Sequence, residues 1–418
     1  MRILLICPFF PPENKISAVR VAKFAENWAE AGHEVRVLTR ETPATGLAEP
    51  HHSNISIHRA QDPFARLAPT APARLAKRRR LFAIARALYS RALSLVWPDL
   101  FRSWGKAAQS LAMDDTWRPD VVVASGGPFT ALRVGSKLAK NFDVPFVIDY
   151  RDLLATSTYY QFGALRHRLD MAVENRIARQ ASLLATVSDP LAEELKISYD
   201  RPTVVVLNGY DPNDFKNLRY EPKPGPLRIV HCGWVRPDRR DPGPFLRGVH
   251  QLLQESPELE IEVDFYGPPP GTVLRLISEL NLERVVSYRG QVNHATSLAL
   301  QAEADALLLL LWNDPGERGV FSGKVFEYVG ADRPIIMTGY ESSVAAELIS
   351  QNDLGIVTND SQRIASYLRE LANEKLTTGK VAGPGFPEAN EYTRDVQSQH
   401  FLNAIESAIS PERHSSAG

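Results

Sequence analysis

The chain has 418 residues, 44% of them hydrophobic and 23% charged, which is too much for one hydrophobic core and points to a globular protein of two or three domains. Its 48 Lys and Arg balance 49 Asp and Glu to a formal net charge of -1, which argues against nucleic acid or another polyanion as the partner of the whole molecule. The only cysteines, Cys7 and Cys232, lie far apart at the ends of apolar runs, so neither a disulfide framework nor a zinc site is expected.

The opening MRILLICPFF carries one early charge and a short apolar stretch, with no small-residue cleavage pattern and too little length to span a bilayer. No other segment is long and apolar enough either. The expected location is cytoplasmic, or peripheral on the inner face of the membrane.

Short apolar runs then alternate with helical patterns. Residues 3–7 read as a strand, 18–31 as a helix and 34–39 as a strand; 121–124, a helix over 134–140, and a strand at 146–148 follow. Buried strands separated by crossover helices imply a parallel, doubly wound sheet.

Residues 73–105 interrupt this plan. Lys77, Arg78, Arg79, Arg80, Arg86 and Arg91 fall among Leu75, Leu81, Phe82, Ile84, Leu88, Leu93 and Val96, and the aromatics Trp97, Phe101 and Trp104 close the segment. This basic amphipathic profile fits either attachment to an anionic membrane surface or a lipid-linked acceptor, or a solvated helix pair covering the first domain.

The stretch VPFVIDYRDLL, residues 144–154, places Asp149, Arg151 and Asp152 just past a buried strand, where open parallel sheets present ligand-binding groups. Asp149 and Asp152 are the candidate catalytic residues. The competing reading is an Asp–Arg ion pair that orders the loop.

Strands at 184–187 and 203–207 complete the first domain, expected to span residues 1–208. Residues 209–226, rich in Asn, Asp, Gly and Pro, read as a linker. The alternation restarts with strands at 228–232, 260–266, 285–289, 306–311 and 334–338, giving a second α/β domain over 227–390. A helix with apolar Val396, Phe401, Leu402, Ile405 and Ile409 falls in the closing segment 391–418.

The most informative segment is GVFSGKVFEYVGADRPI, residues 319–335, which reads as loop, helix, strand. A helix starting at Ser322 or Gly323 would offer free N–H groups and the positive end of its dipole to a diphosphate, with Lys324 adding a mobile cation. Glu327 lies one turn further on, at a distance suited to ribose hydroxyls, which a carboxylate can accept together.

S-G-K-V-F-E-Y-V-G-A-D-R-P-I resembles the donor-site motif of glycosyltransferase family 4 and its relatives, and the family's acidic donor residue maps onto Glu327. Many members carry another Glu eight positions earlier, where this chain has Gly319. HCGWVRPDRRDPGPFLRGV, residues 231–249, is similar to the family's glycine turn and basic pair. There, Gly233 lets the backbone approach the ligand, and Arg239 or Arg240 clamps phosphate oxygens.

YRGQVNHATSLALQAEADALLLLL, residues 288–311, resembles the segment that reads the nucleotide base, with Gln291 and Val292 as base neighbours. Residues 8–39 resemble the amino-terminal strand, loop and helix, in which Ser17 would cap the helix; Ser17, Arg20 and Arg151 are then acceptor-side residues. His33, at the far end of that helix, is read as structural. The resemblance covers nearly the whole chain, the basic segment least.

The resemblance implies the α/β GT-B fold, two Rossmann-like domains facing a central cleft, with the last helix crossing back to the first domain. It implies a retaining glycosyltransferase that moves a sugar from a nucleotide diphosphate-sugar to a saccharide or lipid-linked acceptor, in bacterial-type cell-surface polysaccharide or glycolipid assembly. No cofactor and no metal are expected. The alternatives are a GT-B-fold sugar-nucleotide epimerase or phosphorylase, and an inactive nucleotide-sugar-binding subunit.

Overall fold

A computed structural model describes residues 1–410 except 14, 43–46, 63–96, 114–115, 158–159, 161, 237 and 269. The chain divides into two compact units, Met1–Leu207 with Gln397–Gly418, and Asn208–Val396.

In chain order the first unit contains β1 (Arg2–Ile6), α1 (Ile16–Glu30), β2 (Glu34–Arg40), β3 (Ile55–Ala60), α2 (Arg102–Met113) and β4 (Val121–Ser125). It continues with α3 (Phe129–Phe142), β5 (Phe146–Asp149), α4 (Ala164–Ala178), β6 (Leu183–Thr186), α5 (Asp189–Tyr199) and β7 (Thr203–Val205). Seven strands form one sheet in the order β3-β2-β1-β4-β5-β6-β7. Every neighbouring pair is parallel.

The strand sequences explain the layers. Leu4 and Ile6 point into one apolar cluster with α2 and α3, while Ile3 and Leu5 point into another with α1, as the two-residue period of a strand requires. β4 reads VVVAS and is buried at every position, because helices cover both faces. Both cysteines are free and buried, and burial pushes the Cys7 thiol up to about 12.

The second unit contains α6 (Pro212–Phe215), β8 (Leu227–Cys232), α7 (Gly243–Glu255), β9 (Ile261–Tyr266), α8 (Gly271–Glu279), β10 (Val286–Tyr288), α9 (His294–Glu303) and β11 (Ala306–Leu310). After these come α10 (Gly323–Ala331), β12 (Ile335–Thr338), α11 (Val344–Gln351), β13 (Gly355–Val357) and α12 (Ser361–Thr378). Its six strands are parallel in the order β10-β9-β8-β11-β12-β13. Strand order therefore reverses between β8 and β11, the place where doubly wound sheets open a crevice at their carboxyl ends.

One boundary and two strands differ from the sequence expectation. Residues 209–226 are no free linker: Tyr220 donates its hydroxyl to Asp305, and Lys375 donates to both Asp305 and the Pro226 carbonyl, fastening the segment to the second unit. Asp305 is buried at the foot of β11 and also accepts the Arg228 N–H, so this carboxylate gathers three donors from separate elements. β3 and β13 carry no clear sequence signal; β3 is mostly half-buried and β13 has only three residues.

The last helix, α13 (Arg394–Ile409), begins in the second unit and joins the first from Gln397 onward. Phe401 is 0% exposed, with its ring 5.3 Å from Phe24 and 5.7 Å from Trp28, and the Trp28 indole donates to the Ser398 carbonyl at 3.2 Å. A Phe401→Ala variant is expected to lose about 3–5 kcal/mol, since it leaves a cavity against two aromatics. A denaturant midpoint equal to the parent's would show that α13 contributes nothing to the first core.

Candidate functional site

The reversal point of the second sheet is built by one carbonyl. β8 and β11 pair only at Ile229 and Val230, against six paired positions between β8 and β9. Beyond that, His231 Nδ1 donates to the Leu308 carbonyl at 2.8 Å and the Tyr328 hydroxyl donates to the same oxygen at 3.1 Å. Side chains replace the ladder where the strands part.

Gly233 follows β8 with φ +149, a conformation that side-chain-bearing residues rarely adopt. Its N–H donates to the Tyr266 carbonyl at 2.8 Å. A Cβ built there would lie 2.6 Å from Lys324 Cε and 3.3 Å from Lys324 Nζ, so the ammonium rests in the notch that the missing side chain leaves.

Lys324 reaches that notch from the first turn of α10. Ser322 is the N-cap, its hydroxyl accepting from the Lys324 N–H at 3.4 Å. The expected start of this helix is thus the observed one. First-turn N–H groups, the dipole and Lys324 concentrate positive potential at one place.

Glu327 sits four residues beyond Gly323, about 6 Å along the axis at 1.5 Å per residue. Its carboxylate accepts from Gln301 Nε2 at 3.1 Å. Gln301 is 0% exposed and donates from the same nitrogen to Ser297 Oγ at 3.0 Å, so α9 fixes the orientation of an α10 side chain. His294, at the start of α9, is raised above the usual histidine range by Asp214, 3.9 Å from its Nε2, with a further contribution from Glu327.

An antiparallel bridge joins Arg236 and Arg240. The positive charge of Arg240 contributes, after burial and Lys324, to holding the His231 imidazole neutral. The Arg239 guanidinium lies 4.5 Å from the Trp312 ring centroid and lines a cavity of about 230 Å³ with Asp238, Asp241 and Asn359.

Gln291 is exposed and Val292 half-buried in the coil between β10 and α9. β10 lies two strands from β8, about 10 Å at the usual spacing, so this coil is offset from the notch toward the sheet edge. Near Gly319, Asp314 is the N-cap of a short 3₁₀ turn, accepting from the Gly316 N–H at 2.8 Å.

The first unit corrects the acceptor-side expectations. Asp149 is 1% exposed and accepts from Arg20 Nη2 at 2.9 Å, Arg20 Nε at 3.3 Å and Ser125 Oγ at 2.9 Å. Arg20 is 3% exposed and also donates to the Leu207 and Val206 carbonyls. This is a saturated buried ion pair that ties α1 to β5 and to the chain after β7, and it leaves Asp149 without access to a substrate proton. The Asp–Arg pair weighed from sequence exists, but its arginine is Arg20.

Arg151 donates instead to the Gly126 and Gly127 carbonyls, fastening the loop after β4. Asp152 is exposed, the one of the two candidate catalytic aspartates that faces solvent. Ser17 is not a cap: α1 begins at Ile16, its N-cap is Lys15, and Ser17 falls inside the first turn. His33 Nδ1 meets the terminal amine of Met1 at 3.0 Å.

Of the basic segment 73–105, residues 73–96 lie outside the described residues. The aromatics at its end are packed: Trp104 is buried, Trp97 donates to Asp170 Oδ1 at 2.7 Å, and Phe101 meets Phe9 edge-on at 5.4 Å. Among the described residues no helix is long and apolar enough to cross a membrane, and no group of three His, Cys, Asp or Glu is placed to hold a metal ion.

Sequence reasoning missed His231 and Gln301. His231 is 2% exposed, its Nδ1 tied to Leu308 and its Nε2 without a hydrogen-bond partner. Burial, then the charges of Lys324 and Arg240, hold it down to about 3, against the support of its Leu308 hydrogen bond. The only signal was a histidine inside an apolar strand run; for Gln301 it was an amide four residues after Ser297 on a buried helix face.

Residues 17–209 match the family model described as a glycosyl transferase 4-like domain. Among solved structures, the chain is similar to sucrose-phosphate synthase from Thermosynechococcus elongatus at 14% identity and TM-score 0.66, covering 97% of this chain and 98% of that one. It is similar to Anabaena HepE in complex with UDP at 16% identity and TM-score 0.62, over 97% and 100%. A third likeness is WaaG, a glycosyltransferase involved in lipopolysaccharide biosynthesis, at 13% identity and TM-score 0.56, over 98% and 100%. These likenesses show the GT-B fold. No curated protein sequence matches the chain.

Two outcomes follow from the buried groups. Asp149→Asn removes the charge opposite buried Arg20 and is expected to destabilise the protein by about 3–5 kcal/mol. A variant as stable as the parent, yet inactive, would return Asp149 to the chemistry. For His231, the folded pKa of about 3 lies below the ordinary 6.5, so the unfolded state binds the proton first. Stability therefore falls as pH drops from about 6.5 toward 3, and an otherwise folded His231→Asn protein should lose less over that interval. Parallel melting-temperature profiles for parent and variant would contradict this.

Proposed function

We propose that the chain, whose residues 17–209 match a glycosyl transferase 4-like domain and whose fold is GT-B, is a glycosyltransferase that moves a sugar from a nucleotide diphosphate-sugar to an acceptor hydroxyl, with retention. The observation that carries this reading is the convergence of Gly233, Lys324 and the start of α10 at the reversal point of the second sheet, with Glu327 one turn away.

In this reading the diphosphate occupies the Gly233 notch. Lys324, Arg240 and the first turn of α10 take up the charge that develops as the bond between the anomeric carbon and the phosphate oxygen breaks. These cations serve that purpose without a metal. Glu327, oriented by Gln301, accepts from the ribose hydroxyls, and the coil at Gln291 and Val292 faces the base. HepE was solved with UDP and with UDP-glucose, which supports a nucleotide-sugar as donor.

The acceptor is a saccharide or a lipid-linked sugar, and the setting is cell-surface polysaccharide or glycolipid assembly. WaaG acts in lipopolysaccharide biosynthesis, which supports the setting; the cationic run Lys77–Arg80 supports attachment to an anionic membrane surface at its inner face. Asp152, rather than Asp149, is the acceptor-side carboxylate available to a substrate.

A second reading, a nucleotide-sugar-binding protein without turnover, is favoured by Gly319, which stands where the resemblance puts a second Glu. Calorimetry and a transfer assay on the same preparation separate the two. Lys324→Ala is expected to weaken nucleoside diphosphate binding at least tenfold, the order of one charge-assisted contact, and Glu327→Gln to reduce transfer similarly. Parent-like diphosphate affinity in Lys324→Ala would overturn the donor assignment; binding by the parent with no transfer to any acceptor would favour the second reading.

A further inference from the structure

His231 is a buried group at the notch that the proposed chemistry leaves unused. Its Nδ1 faces a carbonyl, which can only accept, so Nδ1 carries the proton and the neutral ring presents the Nε2 lone pair. That nitrogen has no hydrogen-bond partner, although the side chain is buried. It points at the Gly233 notch: a Cβ on Gly233 would lie 3.7 Å from His231 Nε2 and 3.3 Å from Lys324 Nζ.

A buried lone pair aimed at a phosphate site would repel the phosphate unless a donor stands between them. The Lys324 ammonium has three donors and, among the described residues, no ion pair. The ring itself is held on its other side, by the Leu308 carbonyl at Nδ1 and by packing with its centroid 5.7 Å from that of Phe265. It cannot swing, whereas the lysine can.

We propose that His231 is a positioning residue: its Nε2 accepts from the Lys324 ammonium when ligand is bound and fixes that cation on the terminal phosphate of a nucleoside diphosphate. The site thereby distinguishes diphosphate from monophosphate. The inference rests on the donor reading above. Protonation of the ring would replace the acceptor by a third cation and release the lysine, so the arrangement depends on a histidine that stays neutral.

The test is calorimetry with UDP, GDP and dTDP, each set against its own monophosphate, on the parent, Lys324→Ala, His231→Asn, His231→Gln and the His231→Asn/Lys324→Ala double variant. Asn keeps a donor for Leu308 but ends short of the lysine, whereas Gln extends an acceptor toward it. His231→Asn is expected to lose about tenfold in diphosphate affinity with monophosphate affinity unchanged, and to add nothing to Lys324→Ala in the double variant. His231→Gln is expected to retain the diphosphate preference within about threefold.

Equal losses for diphosphate and monophosphate in His231→Asn would assign His231 a merely structural role and overturn the inference, as would an unchanged diphosphate affinity. Should His231→Asn not fold, His231→Gln decides: a retained preference supports the inference, a lost one overturns it. A Lys324→Ala protein that keeps its diphosphate affinity would instead sink the donor reading itself.

Discussion

Where β8 and β11 stop pairing, one carbonyl oxygen carries what the ladder no longer can. Leu308 receives the His231 imidazole from β8 and the Tyr328 hydroxyl from α10, so the two sides of the reversal point are joined through side chains. Without that junction the carboxyl ends of β8 and β11 would splay with unsatisfied polar groups in an apolar core, which costs on the order of 1–3 kcal/mol per group. With it, the strand ends separate in a controlled way and leave a notch.

Everything proposed about the second unit hangs on that notch. Gly233 opens it because it lacks a side chain, and α10 aims its start at it because Ser322 caps the helix there. Glu327 keeps its orientation through Gln301, a fully buried amide on the neighbouring helix. The first unit is organised by a different constraint, the Arg20–Asp149 pair, which joins α1, β5 and the chain after β7 in the core. Such a pair is expensive to half-remove, which makes it a structural fastening rather than a reagent.

Much of the architecture was legible because parallel strands buried on both faces read as short apolar runs, and VVVAS and ALLLL are unmistakable. The edge strands β3 and β13 were not, since partial burial relaxes the pattern. The start of α10 was readable because its signals are local: a cap, a cation and a carboxylate on one helix. The acceptor side depended on a contact spanning 129 positions between Arg20 and Asp149, which no local spacing reveals. Composition likewise marked 209–226 as a linker, while Tyr220 and Pro226 bind it to the second unit through Asp305 and Lys375.

The central claim is that the notch over Gly233 holds the diphosphate of a nucleotide-sugar. A crystal structure of the protein with the nucleoside diphosphate that binds it tests this most directly. The phosphate oxygens should lie within hydrogen-bond reach of Lys324 Nζ and the first-turn N–H groups of α10, with the ribose hydroxyls on Glu327. A nucleotide ordered instead in the cavity beside Arg239 and Trp312, with the Gly233 notch empty, would contradict it.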